Sequence, residues 1–556
     1  MSEPSDRRAP ATGRVGLGIC LAATLAGAAL QIVYFTHAGA LWRDEASSVQ
    51  LATLPAFSET WRMLAHDGFP VFIPALVRIW SELGLGASDT GLRFLGLLIG
   101  FGLLGAIWLN ARIMGFRLPF VSVGLLAANV TVVTWGDSLR AYGCGSLFIL
   151  MTLGLVWRLM QTPGRITFLL AALAAILSVQ TLFQNAFLVL AICIAGGVVC
   201  ARQRQGKTVA LVLGVGLLTA ASLIPYLSLI IESQNWYILQ KVAFDFVRTW
   251  NTLALAGGSY LGWPFGVWLG LILISLAVGL AALLKRAKDG DAVREDLTLY
   301  GATALAAGIV VFLVFIRLSG LPTESWYYLP LMVLAATAMD ATLANGCRRF
   351  RMAPQVLVVF MVCLLSPSTF HFAKYRQTNV DLIAAELQDR AKTGDYIVVF
   401  PCHCGITFAR YYTGPITWTT LPALADHRFH RFDLLKEKFC ETAPVRPVLE
   451  RAAQTLASGH TLWLVIESPD APPGAVEPAD PPPAPMPNVR LPWWEGHYTS
   501  VWKKQLEYLV AAHAEQEKVI PVKPEIRINP YEKLSLIRAS GWREKNEVQS
   551  GSTASP

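Results

Sequence analysis

Residues 40–50, ALWRDEASSVQ, place Arg43, Asp44 and Glu45 in succession just after a long apolar run. A carboxylate within hydrogen-bond reach of a hydroxyl acts as a general base, and a nearby cation neutralises a leaving anion. His66 and Asp67 in AHDGFP close the same segment. Asp137, Arg140 and Tyr142, in VVTWGDSLRAYGCGS, fall in a short turn between two apolar runs. Glu324, Trp326, Tyr327 and Tyr328, in LPTESWYYLPLM, follow Arg317 at the end of another run. Singly, each group has a plainer explanation: solvated loop charges for Asp44 and Glu45, a snorkelling cation for Arg140, an aromatic belt for the Trp-Tyr-Tyr segment. Together they set carboxylates, cations and aromatics at one face of a membrane, as chemistry on a lipid head group requires. A cation beside the bilayer is costly unless paired or facing water, which adds weight to Arg140.

The apolar runs must position these groups. The chain is 54% hydrophobic and 15% charged, where soluble domains carry about 25% charged residues, and so reads as a membrane protein. Runs of about 17–25 apolar residues predict transmembrane helices. They are expected near 14–36, 90–111, 118–135, 141–160, 166–182, 186–201, 208–231, 264–284, 297–317, 327–346 and 355–373. The expected fold class is mainly α: a polytopic membrane protein of about eleven transmembrane helices, with a long first periplasmic loop and a small C-terminal periplasmic α/β domain. Arg7, Arg8 and Arg14 precede the first run, whose apolar core is longer than a signal peptide's, so an uncleaved helix is expected. Arg and Lys concentrate on the side of Arg14, Arg112, Arg158, Arg202 and Lys207, which predicts a cytoplasmic N-terminus and a periplasmic C-terminal domain in a bacterial inner membrane. The net charge of +8 arises largely from residues flanking apolar runs and so does not indicate a nucleic-acid partner.

The predicted organisation is a cytoplasmic segment 1–13, a membrane domain 14–373, an α/β domain 374–468, a Pro-rich loop 469–487, the remainder of the periplasmic domain 488–543 and a disordered tail 544–556. Within the first loop, FPVFIPALVRIWSELGL predicts a helix lying at the interface. In the soluble part, DLIAAELQDRAKTGDYIVVFP predicts helix, turn and buried strand, and HTLWLVIES a second strand after a helix at PVLERAAQTLAS. Cys402 or Cys404 pairing with Cys440 is expected ahead of metal binding at PCHC, whose spacing is not that of a zinc site.

In order, RDEASS, HDGFPVFIPALVRIW, LRFLGLLIGFGLLGAIWLNARIMG, GDSLRAYGCGSL and ESWYYLPLMVLAATAMDA resemble the GT-C membrane glycosyltransferases that use a polyprenyl-phosphate sugar, in particular bacterial relatives of protein O-mannosyltransferase and of the lipid A aminoarabinose transferase. The resemblance is best over 14–160, extends to 373 and does not cover 374–556. The sequence departs from the family pattern at GFPVFIP, where Phe69 precedes Pro70, and at Arg140-Ala141-Tyr142, where the family often has Arg-Pro-Tyr.

The resemblance implies a polyprenyl-phosphate-linked sugar donor, a lipid, glycan or protein acceptor, membrane lipid as partner and Asp44 as base. It implies no required cofactor, but leaves room for a divalent cation between Asp44 and Asp67. For such a donor the leaving phosphate needs neutralisation, for which Arg140, Arg317 and, more weakly, Arg43 are candidates. Glu45 would orient the acceptor or bind a cation, and His66 and Asp67 would shape the sugar or acceptor site. Asp137, Tyr142 and Glu324 fall in the same substrate-binding group, while Trp326, Tyr327 and Tyr328 would stack on sugar or line the lipid's exit. The competing classes are a transporter or flippase of a lipid-linked saccharide, whose sites sit at midplane on interrupted helices, and a non-enzymatic envelope assembly protein.

Overall fold

The computed structural model describes residues 11–116, 118–237, 244–258, 262–284, 292–320, 322–344, 352–467, 476–484 and 495–544. The segment 1–10, the tail from 545, Cys347 and the basic stretch 345–351 lie outside the described residues. The chain forms two compact units, one of Met1–Ala38, Gly68–Ile230 and Ala243–Lys374, the other of Gly39–Asp67, Ile231–Val242 and Tyr375–Pro556. The first eight helices are α1 (Ala11–His37), α2 (Arg43–Ala52), α3 (Phe57–Met63), α4 (Phe72–Glu82), α5 (Asp89–Met114), α6 (Phe120–Leu126), α7 (Val130–Trp135) and α8 (Ala141–Gln161).

The first unit is a bundle of apolar helices. Among the described residues, eight are long and apolar enough to cross a membrane: Gly13–His37, Asp89–Met114, Ala141–Gln161, Asn185–Arg202, Gly206–Glu232, Trp263–Leu284, Val293–Ser319 and Ala353–Ala373. Large apolar side chains such as Leu25, Leu217 and Leu284 face outward, as lipid contact requires. The other expected spans have different forms. The run 166–182 is a helix of 17 residues, Arg165–Thr181. The run 327–346 begins as a 3-10 turn, Ser325–Tyr328, before the 15-residue helix Leu329–Leu343. The run 118–135 is broken into α6 and α7 because the Asn129 side chain accepts from the amides of Thr131 and Val132, starting a new helix inside the apolar stretch. Protein groups satisfy the break: Thr369 donates to the Ala128 carbonyl at 2.7 Å and Asn129 to that of Ala256 at 3.0 Å. Asp340 accepts from the amides of Val121 and Ser122, both at 2.8 Å, and so caps the start of α6.

The interfacial helix expected in the first loop is α4, which buries Ile73, Pro74 and Val77 and links Arg78 to Glu82 at 3.0 Å. Helix α5 carries Gly96 and Gly100 one turn apart. A Cβ on Gly96 would stand 1.9 Å from the Asp137 carbonyl oxygen, so only glycine lets the 136–140 turn approach this closely.

The second unit is built on a five-stranded sheet of β1 (Tyr396–Phe400), β2 (Trp418–Thr420), β3 (Leu462–Ile466), β4 (Gln516–Ile520) and β5 (Ser535–Ser540) in the order β2-β1-β3-β5-β4. β1 is parallel to β2 and β3, while β5 is antiparallel to β3 and β4. Every position of β1 and β3 is buried because helices cover both faces. On one face, Val398 and Leu464 pack with Leu435, Phe439, Leu456 and Trp502; on the other, Ile397 and Val465 pack with Ile383, Leu387 and Phe408.

One expectation for this unit is corrected. No disulfide joins the described cysteines. Cys402 and Cys404, two residues apart on a 3-10 turn, enter opposite cores of the sheet, and Cys440 packs beside the Cys402 core without a bond to it. Residues 476–484 of the Pro-rich loop are docked: Ala484 donates to the Phe439 carbonyl at 2.8 Å, and Gln505 donates to Asp480 at 2.8 Å.

Candidate functional site

Asp44 and Glu45 are not loop charges: they form the first turn of α2, where carboxylates favour the helix macrodipole. Gly39, at φ +66, turns the chain ahead of α2 with Arg376 packed so closely that a Cβ would meet its Nη1 at 2.5 Å. Adjacent helical positions diverge by about 100°, and the two acids accordingly differ in exposure. Glu45 is 1% exposed, whereas the Asp44 side chain is 21% exposed. Asp67 accepts from Ser48 of α2 at 3.3 Å, and Thr60 of α3 donates to the Leu51 carbonyl at 3.1 Å, holding the two ends of the segment together.

The soluble domain supplies the partners of these acids from the loop Asp426-His427-Arg428-Phe429-His430-Arg431-Phe432-Asp433. His430 Nε2 lies 3.2 Å from Asp44 Oδ1, and Asp433 Oδ1 lies 3.7 Å from His66 Nδ1. The loop is internally tied. Arg431 bridges Asp433 at 2.7 Å and Asp426 at 2.9 Å, and Arg428 makes a forked contact with Asp426. The His430 ring stacks on Phe432 at 5.4 Å with 7° between planes, and His66 meets Phe429 at 5.7 Å. A small cleft opens along this loop, lined by His403, His427, His430, Arg431, Phe429 and Phe432 among others.

Arg43 is held from the C-terminal segment. Its amide donates to Glu532 Oε2 at 2.7 Å, its Nη1 donates to the Tyr531 carbonyl at 2.6 Å, and its Nε lies 3.6 Å from Asp44. Burial pushes Glu532 up to about 7, against the opposing pull of Arg43. Burial also lowers His66, with Asp433 opposing it, and lowers His403, assisted by Arg43 and His430; both imidazoles are therefore neutral at pH 7. Asp426 moves the other way: burial would raise it, but the Arg428 and Arg431 guanidiniums bring it down to about 2.

The membrane unit gathers a separate group. Arg140 is the N-cap residue of α8, 7% exposed, with its guanidinium 4.3 Å over the Phe69 ring. Phe69 meets Tyr142 edge-on at 5.6 Å, and Tyr142 meets Tyr327 at 5.6 Å. Trp326 packs on Trp135 at 4.1 Å, and Gln184 holds the Tyr327 carbonyl at 2.8 Å. Asp137, 5% exposed, lies in the same turn as Arg140 and is packed against Gly100 of α5. The structure thus brings Arg140, Tyr142, Trp326 and Tyr327 into one cluster. Tyr328 turns inward to Thr323 at 2.9 Å, and Glu324 caps the 3-10 turn through its carbonyl. Arg317 is exposed at the end of its helix, 5.8 Å over Phe244.

Among solved structures, the chain is similar to the crystal structure of ArnT from Cupriavidus metallidurans bound to undecaprenyl phosphate, at 12% identity over 82% of this chain and 94% of that one, with a TM-score of 0.49. It is also similar to ArnT from the same organism in the apo state, at 12% identity over 80% and 92% of the two chains, with a TM-score of 0.29. No family model matches the chain, and no curated protein matches it.

Among the described residues, no group of three or more His, Cys, Asp or Glu side chains is arranged to hold a metal ion. Asp44 and Asp67, between which the resemblance leaves room for a divalent cation, meet His430 and Ser48 respectively. The loop 426–433 escaped the sequence reading. Its signal is the doubled His-Arg-Phe between two aspartates, a density of charge and aromatics uncommon in a linker between soluble elements.

Proposed function

We propose that the chain is a membrane glycosyltransferase of the bacterial inner membrane, moving a sugar from a polyprenyl-phosphate donor to an acceptor hydroxyl at the periplasmic face. The observation that carries this reading is the Asp44 carboxylate, partly exposed in the first turn of α2, seven residues beyond the end of the first long apolar helix and hydrogen-bonded to an imidazole. In the reaction the acceptor oxygen gives its proton to Asp44 and forms a bond to the sugar's anomeric carbon. The bond from that carbon to the phosphate oxygen breaks, and polyprenyl phosphate leaves as an anion.

Arg140 is assigned to the leaving phosphate, because a preorganised cation in a dry setting stabilises developing negative charge far better than one in water. Its aromatic neighbours Phe69, Tyr142 and Tyr327 keep water from it. Arg43, engaged by Tyr531 and 3.6 Å from Asp44, is assigned to the charge balance around the base instead of to the donor. Arg317 remains the second cation of the membrane unit. His66 and Asp67 form the wall of the acceptor site, and Glu45 is assigned to packing.

Among the described residues, the α6–α7 break is a feature that favours transport of a lipid-linked saccharide, since interrupted helices build transporter sites. Here, however, Asn129, Thr369 and Ala256 fill the break with hydrogen bonds between protein groups. Transport leaves the sugar–phosphate bond intact, whereas transfer releases polyprenyl phosphate. Membranes carrying the protein, supplied with radiolabelled undecaprenyl-phosphate sugars, are expected to release undecaprenyl phosphate and fix label in a second fraction. Translocation of intact donor without release would refute transfer.

A further inference from the structure

We infer that His430 is the positioning residue of Asp44, so that the soluble domain sets the geometry of the base. This rests on the transfer reading above. A carboxylate in the first turn of a helix rotates about two side-chain bonds, and a base must present one oxygen to the acceptor hydroxyl within about 3 Å. His430 supplies the fixing contact: its Nε2 is 3.2 Å from Asp44 Oδ1, inside hydrogen-bond range, whereas Arg43 Nε stands at 3.6 Å. A protonated Nε2 donates to Oδ1 and directs Oδ2 to the acceptor.

The imidazole is itself immobilised on two sides. Its face stacks on Phe432, and the backbone on either side belongs to the Arg431 bridge between Asp426 and Asp433. The next contact along the loop repeats the pattern. Asp433 faces His66, its Oδ1 3.7 Å from His66 Nδ1. Two loop residues thus engage two residues of the 39–67 segment: Asp44, assigned as the base, and His66, assigned to the acceptor wall. A loop serving packing alone needs neither acid nor imidazole at these points. His430 additionally lines a cleft with His403 and His427.

The test compares two substitutions in the full chain in membranes, with release of polyprenyl phosphate from a radiolabelled polyprenyl-phosphate sugar measured across donor concentrations. His430→Phe keeps the ring and its stacking but no nitrogen; His430→Gln keeps a donor near the Nε2 position. His430→Phe is expected to lower kcat by about tenfold or more, since misplacing a base by a fraction of an ångström has effects of that order, with the donor KM within about twofold. His430→Gln is expected to recover most of that loss, and both variants to insert at parental levels. Parental kcat in His430→Phe overturns the inference, as does an equal loss in both variants. If the Phe variant does not insert, His430→Ala takes its place with the same outcomes. No release from the parent chain defeats the transfer reading itself, and release at the parental rate in Asp44→Asn defeats the base assignment, whereas an inactive Asp44→Asn with an active His430→Phe defeats only the role of His430.

Discussion

Asp44 and His430 are 386 positions apart in the chain, yet their side chains meet at 3.2 Å. The segment that follows the first apolar helix therefore folds with the soluble domain and not as a free loop. Three of its ionisable groups have a partner there or within the segment: Asp44 with His430, Asp67 with Ser48, and His66 with Asp433. The consequences are open to measurement.

Arg431 ties the two ends of the 426–433 loop, and Arg431→Met leaves two half-buried aspartates without their shared cation. Hydrogen bonds to charged groups contribute about 1.5–3 kcal/mol, so a loss of that order in stability is expected, with lower turnover because His430 loosens. The acid dependence has a definite sign. Asp426 is held down to about 2 in the fold, so its contribution is complete above the ordinary carboxylate value and is lost as pH falls through about 2. Thermal melting of the parent and of Asp426→Asn should differ by a constant amount at neutral pH and converge only in strong acid.

Glu532 carries the opposite sign. Its folded value of about 7 lies above its ordinary 4.5 because the carboxyl is buried. The folded state therefore binds the proton more tightly than the unfolded chain, and stability falls as pH rises between those two values. Glu532→Gln, which keeps an acceptor for the Arg43 amide, should match the parent near pH 5 and exceed it near pH 8, by up to about 3 kcal/mol. Melting curves at the two pH values check this, and a parent that gains stability on alkalinisation would contradict it.

Gly96 and Gly105 offer a matched pair on α5. A Cβ on Gly96 would collide with the Asp137 carbonyl at 1.9 Å, while one on Gly105 meets nothing within 4 Å. Gly96→Ala should lower stability by about 1–3 kcal/mol and reduce turnover by displacing the turn that carries Arg140. Gly105→Ala should leave both unchanged, measured by melting temperature and by release of polyprenyl phosphate.

Arg140→Ala should raise the donor concentration needed for half-maximal turnover and lower kcat together by about tenfold or more, because the cation acts on charge that develops on the leaving phosphate. Arg140→Lys keeps the charge but not the planar stack on Phe69 and should recover only part of the loss. An unchanged donor dependence in Arg140→Ala would remove the residue from the site.

The apolar runs made most of the membrane helices legible, since length and composition set that signal; the interruption at Asn129 was not, because one capping side chain outweighs a run of apolar neighbours only when its hydrogen bonds are seen. In the soluble part, β1 and β3 were legible as continuous apolar runs. β4, with four of its five positions exposed at the sheet edge, carries no such pattern, and β2 is only three residues long. Asp44, His66 and Asp67 were readable as acids or bases beside a membrane. Their partners were not, since His430 and Asp433 reach them through long-range folding that no local spacing encodes. The Cys402 and Cys404 side chains diverge because the 3-10 turn sends them to opposite faces of the sheet, a point that counting cysteines cannot reach.

The central claim is that Asp44 takes the acceptor's proton, and Asp44→Asn tests it with almost no change of shape. In membranes supplied with radiolabelled polyprenyl-phosphate sugar, the variant should insert at parental levels, melt near the parental temperature, and release polyprenyl phosphate at least about a hundredfold more slowly. Release at the parental rate would contradict the account.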